Sequence, residues 1–182
     1  MFPSNFELDK EFLKKYFIIS FGMAILVLIG LELTNKHLVN NVSPYGIISF
    51  ELAHNITHSK IIMDSWSDVQ KSYAFFNLGL DFAYMICYSI SLYLGCLYVT
   101  KIFDKQSSFF KTIGMSIARL QFLAAGFDVI ENICLYNLLL GNLENSFSIT
   151  AMWTAMIKFF LIFVGLSFIT VNLISYNFLK KR

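Results

Sequence analysis

The chain has 182 residues, of which 57% are hydrophobic and only 14% are charged, and its mean hydropathy is +0.62. Soluble domains carry about 25% charged and 45–50% apolar residues, so the composition excludes an ordinary soluble domain and indicates a membrane protein. The net charge of +2 is too small to suggest nucleic acid as a partner.

The first 33 residues predict a charged leader followed by a membrane helix. Ser4 and Glu7 have the spacing of a capping box, which predicts a short interfacial helix. The apolar run that follows predicts a transmembrane helix over about residues 16–33. A cleaved signal peptide is the alternative. We disfavour it because the run ends Gly30-Leu31-Glu32-Leu33, without a small-residue cleavage site.

Residues 36–72 form the longest polar connection. Ser43 to Gly46 is typical of a turn, and a short apolar segment around Glu51 follows. Thr57 is predicted to cap a helix that continues through Trp66. We therefore expect a structured extracytoplasmic segment that lies over the mouth of the bundle.

Three longer apolar segments complete the chain. They predict transmembrane helices over about residues 73–100, 112–140 and 146–176, each longer than the roughly 20 residues that a bilayer requires. The predicted fold is an all-α membrane protein, a four-transmembrane-helix bundle in which residues 1–182 form a single integral membrane domain.

The distribution of basic residues predicts the orientation. Nine lie in the leader, the second connection and the tail, and three lie in the first connection. Because basic residues favour the cytoplasm, both termini are expected to be cytoplasmic, in a multi-pass protein of the inner (plasma) membrane. The nine are Lys10, Lys14, Lys15, Lys101, Lys105, Lys111, Lys180, Lys181 and Arg182.

Two predicted membrane helices carry stripes of polar residues. Asp81, Tyr84 and Tyr88 have i, i+3, i+7 spacing and share one face of the second helix. Asp128, Glu131 and Asn132 have i, i+3, i+4 spacing and share one face of the third. The orientation of the helices places both stripes in the outer half of the membrane.

Lys158 lies near the middle of the fourth predicted helix. Charged side chains at this depth are costly and are normally paired or line a cavity. One interpretation is an outward-facing polar pocket in which Asp81, Asp128 and Glu131 are candidate catalytic acids or bases and Lys158 is the cation. The other is structural, with Lys158 paired to Asp128 or Glu131 and Asn132 completing a network that fixes helix register.

The three cysteines and three histidines do not predict a metal site or any other cofactor site. The cysteines have no metal-binding spacing. Glu51, His54 and His58 have i, i+3, i+7 spacing, but a helix cap at Thr57 would break the face that they share. A solvated surface is the favoured interpretation.

An ordered set of motifs resembles an uncharacterised bacterial family of small four-helix inner-membrane proteins. The likeness extends from about Tyr45 to Gly165 and implies the same fold and location, but no activity. The motifs are Phe50-Glu51-Leu52-Ala53, Trp66, Leu78-Gly79-Leu80-Asp81-Phe82 with Tyr88, Gln121, Ala125-Gly126-x-Asp128-x-x-Glu131-Asn132 and Lys158-Phe159.

The favoured function is the binding of a membrane lipid or a small amphiphile, which the protein could also modify, in this pocket. A small proton-coupled transporter and a structural or accessory membrane subunit are the alternatives. The sequence does not decide whether the protein is an enzyme, and it leaves homo-oligomerisation open. The predicted binding residues are Glu51 and Trp66 as a lid, together with Asp81, Tyr84, Tyr88, Asp128, Glu131, Asn132 and Lys158.

Overall fold

The computed structural model describes residues 9–103 and 107–180. Their secondary structure consists of helices with no strand, which confirms the predicted all-α class. The interfacial helix predicted at Ser4–Glu7 lies outside the described residues. The helices are α1 (Lys10–Asn35), α2 (Ile47–Glu51), α3 (Ile56–Asp64), α4 (Asp68–Ile102), α5 (Ser108–Leu139) and α6 (Asn145–Lys180).

Four helices, α1, α4, α5 and α6, are long and apolar enough to cross a membrane. Even α1, with 26 residues, spans about 39 Å at a rise of about 1.5 Å per residue, against a hydrocarbon core of roughly 30 Å. Large apolar side chains cover the outside of the bundle; Leu26 is 70% exposed and Phe163 is 66% exposed. These surfaces require an apolar surrounding, so the chain has the architecture of a multi-pass membrane protein.

Polar caps start three of these helices, α1, α4 and α5, earlier than the apolar runs predict. Asp9 accepts a hydrogen bond from the backbone N–H of Glu11 (3.2 Å), and α1 therefore begins at Lys10. Ser67 and Gln70 form a capping box, which starts α4 at Asp68. Hydropathy detects the apolar part of each helix, whereas the capped first turns are polar.

The helix α4 is central to the bundle. It packs against α1, α5 and α6, and α5 also packs along α6, whereas α1 and α6 make little contact with each other. Gly165 of α6 allows close approach to α5, since a Cβ there would lie 2.6 Å from Nε2 of Gln121. The poor contact between α1 and α6 leaves a groove between them, with α4 as its floor.

Residues 36–67, which we call the cap, fold over one end of the bundle. Leu38, Phe50, Ile62 and Trp66 are buried in its core, together with side chains of α4 and α5. The indole N–H of Trp66 donates to the backbone oxygen of Leu38 (2.9 Å) and lies 3.1 Å from Oγ of Ser43. The cap is thus a packed element with α2 and α3 inside it.

The predicted helix start at Thr57 is wrong. The N-cap of α3 is Asn55, whose side-chain oxygen accepts from the backbone N–H of His58 (2.8 Å). Thr57 lies inside the first turn and is exposed, and α3 ends at Asp64, before Trp66. Asparagine caps a helix at least as well as threonine does. Because Asn55 precedes Thr57, the helix begins directly after Asn55.

Gly46 controls the entry into α2. It has a φ of 60°, and a Cβ there would lie 3.0 Å from the backbone oxygen of Asn35 and closer still to its side chain. That side chain accepts from the backbone N–H of Ile47 (2.8 Å), which ties α2 to the end of α1. Substitution would therefore add both backbone strain and a clash.

We expect Gly46→Ala to lower the free energy of unfolding by roughly 1–3 kcal/mol. Thermal unfolding of the purified protein measures the effect. Gly79→Ala is the control, because Gly79 is helical and a Cβ there meets nothing within 4 Å. Alanine at Gly79 should be neutral or stabilising, so equal losses in the two variants would contradict the prediction.

Candidate functional site

Lys158 of α6 forms two ion pairs with α5. Its Nζ lies 2.8 Å from Oδ1 of Asp128 and 2.8 Å from Oε2 of Glu131. These three residues are 4%, 1% and 0% exposed, so the charges lie inside the protein and away from lipid. The hydroxyl of Tyr88 in α4 donates to Oδ2 of Asp128 (3.0 Å). Both oxygens of Asp128 are therefore bonded.

A second polar contact joins α5 to α4. The side-chain amide of Asn132 donates to Oδ2 of Asp81 (2.7 Å). Asn132 and Glu131 are neighbours in the sequence, yet they bond to different helices. The two polar stripes predicted from the sequence therefore face each other, and the lysine of α6 joins them at Asp128.

A cavity of about 220 Å³ lies beside this network. Residues of α1, α4 and α6 form its sides, Asp128 contributes from α5, and α2 closes the end nearest the cap. Six of the predicted binding residues line it: Glu51, Asp81, Tyr84, Tyr88, Asp128 and Lys158.

Three predicted binding residues do not line this cavity. Trp66 is buried in the cap core and is not a lid. Glu131 lies behind Lys158, to which it is paired, and Asn132 is turned toward Asp81. Asp128, Glu131 and Asn132 share one face of α5, but they project at different angles around the helix. Asp128 therefore lines the cavity, while Glu131 and Asn132 contact the residues that line it.

The cavity also has polar residues that the sequence analysis did not select as binding residues. Glu32 and Asn35 come from the end of α1, and Asn77 comes from α4. Asn77 donates to Oγ1 of Thr34 (2.6 Å) and to the backbone oxygen of Leu31 (2.9 Å), so it holds α1 against α4. Asn77 precedes Asp81 by four residues, and this helical spacing could have identified it.

Glu51 is a buried acidic group in the wall of the cavity. It is 7% exposed, and among the described residues no hydrogen-bond donor reaches its Oε2. No basic side chain of those residues lies within ion-pair distance of it, because Lys158 pairs with α5 instead. A buried carboxylate without a partner is costly, so the fold places an unsatisfied acceptor in the wall of the cavity.

A smaller cavity of about 70 Å³ adjoins the first, and no charged side chain of the described residues lines it. Leu28, Tyr84, Tyr88 and Ile162 line both cavities. The remaining walls of the smaller cavity are mostly apolar side chains of α1, α4 and α6. The groove between α1 and α6 thus has a part with charged side chains next to the cap and a part without them deeper in the bundle.

The paired histidines lie apart from this cavity. Nδ1 of His54 is 3.2 Å from Nδ1 of His58, and both side chains are at the surface of the cap. Glu51 is buried elsewhere and does not join them. No group of three histidine, cysteine, aspartate or glutamate side chains is arranged for metal binding in residues 9–103 and 107–180.

The geometry divides the carboxylates into two groups. Asp128 and Glu131 share the ammonium group of Lys158 and form a fixed ionic network. Asp81 and Glu51 face the cavity without a cation of their own in the described part of the chain. Of the predicted acid or base candidates, Asp81 is therefore better placed than Asp128 or Glu131 to exchange a proton with a bound molecule.

Comparisons with protein-family models, curated proteins and solved structures give no match to this chain. The resemblance to small bacterial inner-membrane proteins stays a prediction. The function is therefore inferred from the geometry of the cavity and its charges.

Proposed function

We propose that the protein binds an amphiphile from the outer leaflet of the bacterial inner membrane, in the groove between α1 and α6. The excess of basic residues in the leader, the α4–α5 connection and the tail supports cytoplasmic termini. The cap and the cavity would then lie toward the extracytoplasmic side. The proposed family membership is consistent with this location.

The observation that carries the proposal is that a cavity with charged side chains in its wall adjoins one to which the described chain contributes no charged side chain. An amphiphile has a polar head and an apolar chain, and the shared wall at Leu28 and Tyr84 would let one molecule occupy both spaces. Because α1 and α6 make little contact, lipid could enter sideways from the membrane. If the bound head is chemically modified, Asp81 and Glu51 would act as the acid or base.

We expect Leu28→Trp to displace the bound amphiphile, because the larger ring fills the junction between the two cavities. The measurement is native mass spectrometry of protein extracted in mild detergent. Wild-type protein should retain an amphiphile, and the variant should lose most of it. Leu26→Trp is the matched control, since Leu26 is on the same helix and is 70% exposed.

Circular dichroism and gel filtration establish that both tryptophan variants are folded. Retention by Leu26→Trp together with loss by Leu28→Trp supports the proposal. Equal retention by the two variants, or a wild-type protein that carries no amphiphile when it is reconstituted in lipid, contradicts it. A structural or accessory role would then be favoured.

A further inference from the structure

The cavity has more negative than positive groups. Glu32, Glu51, Asp81 and Asp128 line it, and Lys158 is the single basic residue that the described chain contributes to its wall. That lysine is shared between Asp128 and Glu131 at equal distances of 2.8 Å. Lys158 is also within electrostatic range of Glu51 and Asp81. In the described part of the chain, however, neither of these two carboxylates has a cation within ion-pair distance.

The position of Glu51 is fixed by the fold. Its helix α2 is anchored by the hydrogen bond from Ile47 to the side chain of Asn35 (2.8 Å), and the neighbouring Phe50 is buried in the cap core. The backbone of Glu51 is therefore held in a packed helix and not in an exposed loop. Its unpartnered Oε2 is buried at the end of the cavity.

We infer that the head of the bound amphiphile is an ammonium group, held by Glu51 and Asp81. This inference rests on the proposed function, since it names the class of ligand for the same cavity. A primary ammonium donates three hydrogen bonds and would give the two carboxylates a cation at contact distance. An anionic head would be repelled by the same carboxylates.

The aromatic wall of the cavity favours the same head group. The rings of Tyr84 and Tyr88 lie 5.2 Å apart between centroids, and both residues line the cavity. An organic cation is attracted to the face of such a ring. A neutral hydroxyl head would gain less from the rings and would leave the carboxylate charges without a counterion.

The test compares probes that share one chain and differ in the head. Dodecylammonium, dodecanol and laurate are titrated into delipidated wild-type protein in detergent micelles, with protein-free micelles as the blank, and binding is followed by calorimetry. We expect dodecylammonium to bind at least about tenfold more tightly than dodecanol, which is the range of a charge-assisted hydrogen bond. Ethylammonium, whose chain has only two carbons, should not bind measurably.

Glu51→Gln should remove most of the preference for dodecylammonium over dodecanol. Glu144→Gln is the matched control, because Glu144 is exposed in the turn between α5 and α6. Thermal unfolding establishes that each variant is folded. Asp81→Asn provides a second test of the same preference if Glu51→Gln does not fold.

The outcomes separate this inference from the proposed function. If dodecylammonium and dodecanol bind equally and Leu28→Trp abolishes both, the cavity takes an amphiphile but its head is not selected as a cation. Tighter binding of laurate, or an undiminished preference in Glu51→Gln, also overturns the inference. If Leu28→Trp changes the binding of neither probe, the proposed function itself fails.

Discussion

Replacing Lys158 with methionine is expected to lower the free energy of unfolding by about 3–5 kcal/mol, because removing one partner of a buried ion pair leaves the others without a counterion. Two carboxylates depend on this lysine, at 2.8 Å each, and neither Asp128 nor Glu131 is more than 1% exposed. Methionine fills a similar volume, so lost packing should contribute little.

Replacing different members of this network should lower the free energy of unfolding by different amounts. Asp128→Asn leaves Lys158 paired with Glu131, and Glu131→Gln leaves it paired with Asp128. Each single acid replacement should therefore cost less than Lys158→Met. Combining all three replacements removes every charge of the network and should recover most of the lost stability, as apolar or neutral substitutes for buried ion pairs often do.

Unfolding in detergent by heat or by a denaturing surfactant measures these differences. Lys60→Met is the control, since Lys60 is exposed on α3, and it should change stability by less than about 1 kcal/mol. A Lys158→Met protein as stable as the control, or a triple variant less stable than the single one, would mean that the network does not hold charged groups.

The sequence predicted the four long helices because their apolar stretches leave few alternatives in a membrane. It placed the starts of α1 and α4 too late, since Asp9 and Ser67 are polar and caps do not register as hydropathy. It also placed a helix start at Thr57, although Asn55 caps α3. Local competition between neighbouring capping residues decides such boundaries.

The helical spacing of polar residues predicted which side chains share a face, but not which partners they meet. Glu131 and Asn132 are adjacent, yet one bonds to α6 and the other to α4. That division depends on how far α5 is rotated between its neighbours, which no single-helix pattern contains. The unpartnered state of Glu51 likewise depends on where the cap places α2.

The role of Trp66 also depends on tertiary packing that the sequence pattern does not contain. The sequence suggested that it belongs to a lid over the pocket, but it is 2% exposed in the cap core and does not line the cavity. Its role is to tie the start of the cap to its end, through the hydrogen bond to the backbone of Leu38 and the contact with Ser43.

Trp66→Ala should therefore destabilise the cap by about 3–5 kcal/mol, the range for removing a buried tryptophan side chain. Trp66→Phe keeps an aromatic ring but loses the indole donor, and it should cost less, about 1–3 kcal/mol. Limited proteolysis, with the fragments identified by mass, reports opening of the cap, while circular dichroism reports the long helices. We expect faster cleavage within residues 36–67 and nearly unchanged helicity.

The other tryptophan provides the control, since Trp153 is 55% exposed on α6. Trp153→Ala should leave cleavage of the cap unchanged. The order of effects separates a structural from a ligand-binding role for Trp66. If Trp66→Phe weakened amphiphile binding without faster cleavage of the cap, Trp66 would contact the ligand directly. If binding falls only in step with opening of the cap, Trp66 acts by holding α2, and therefore Glu51, in place over the cavity.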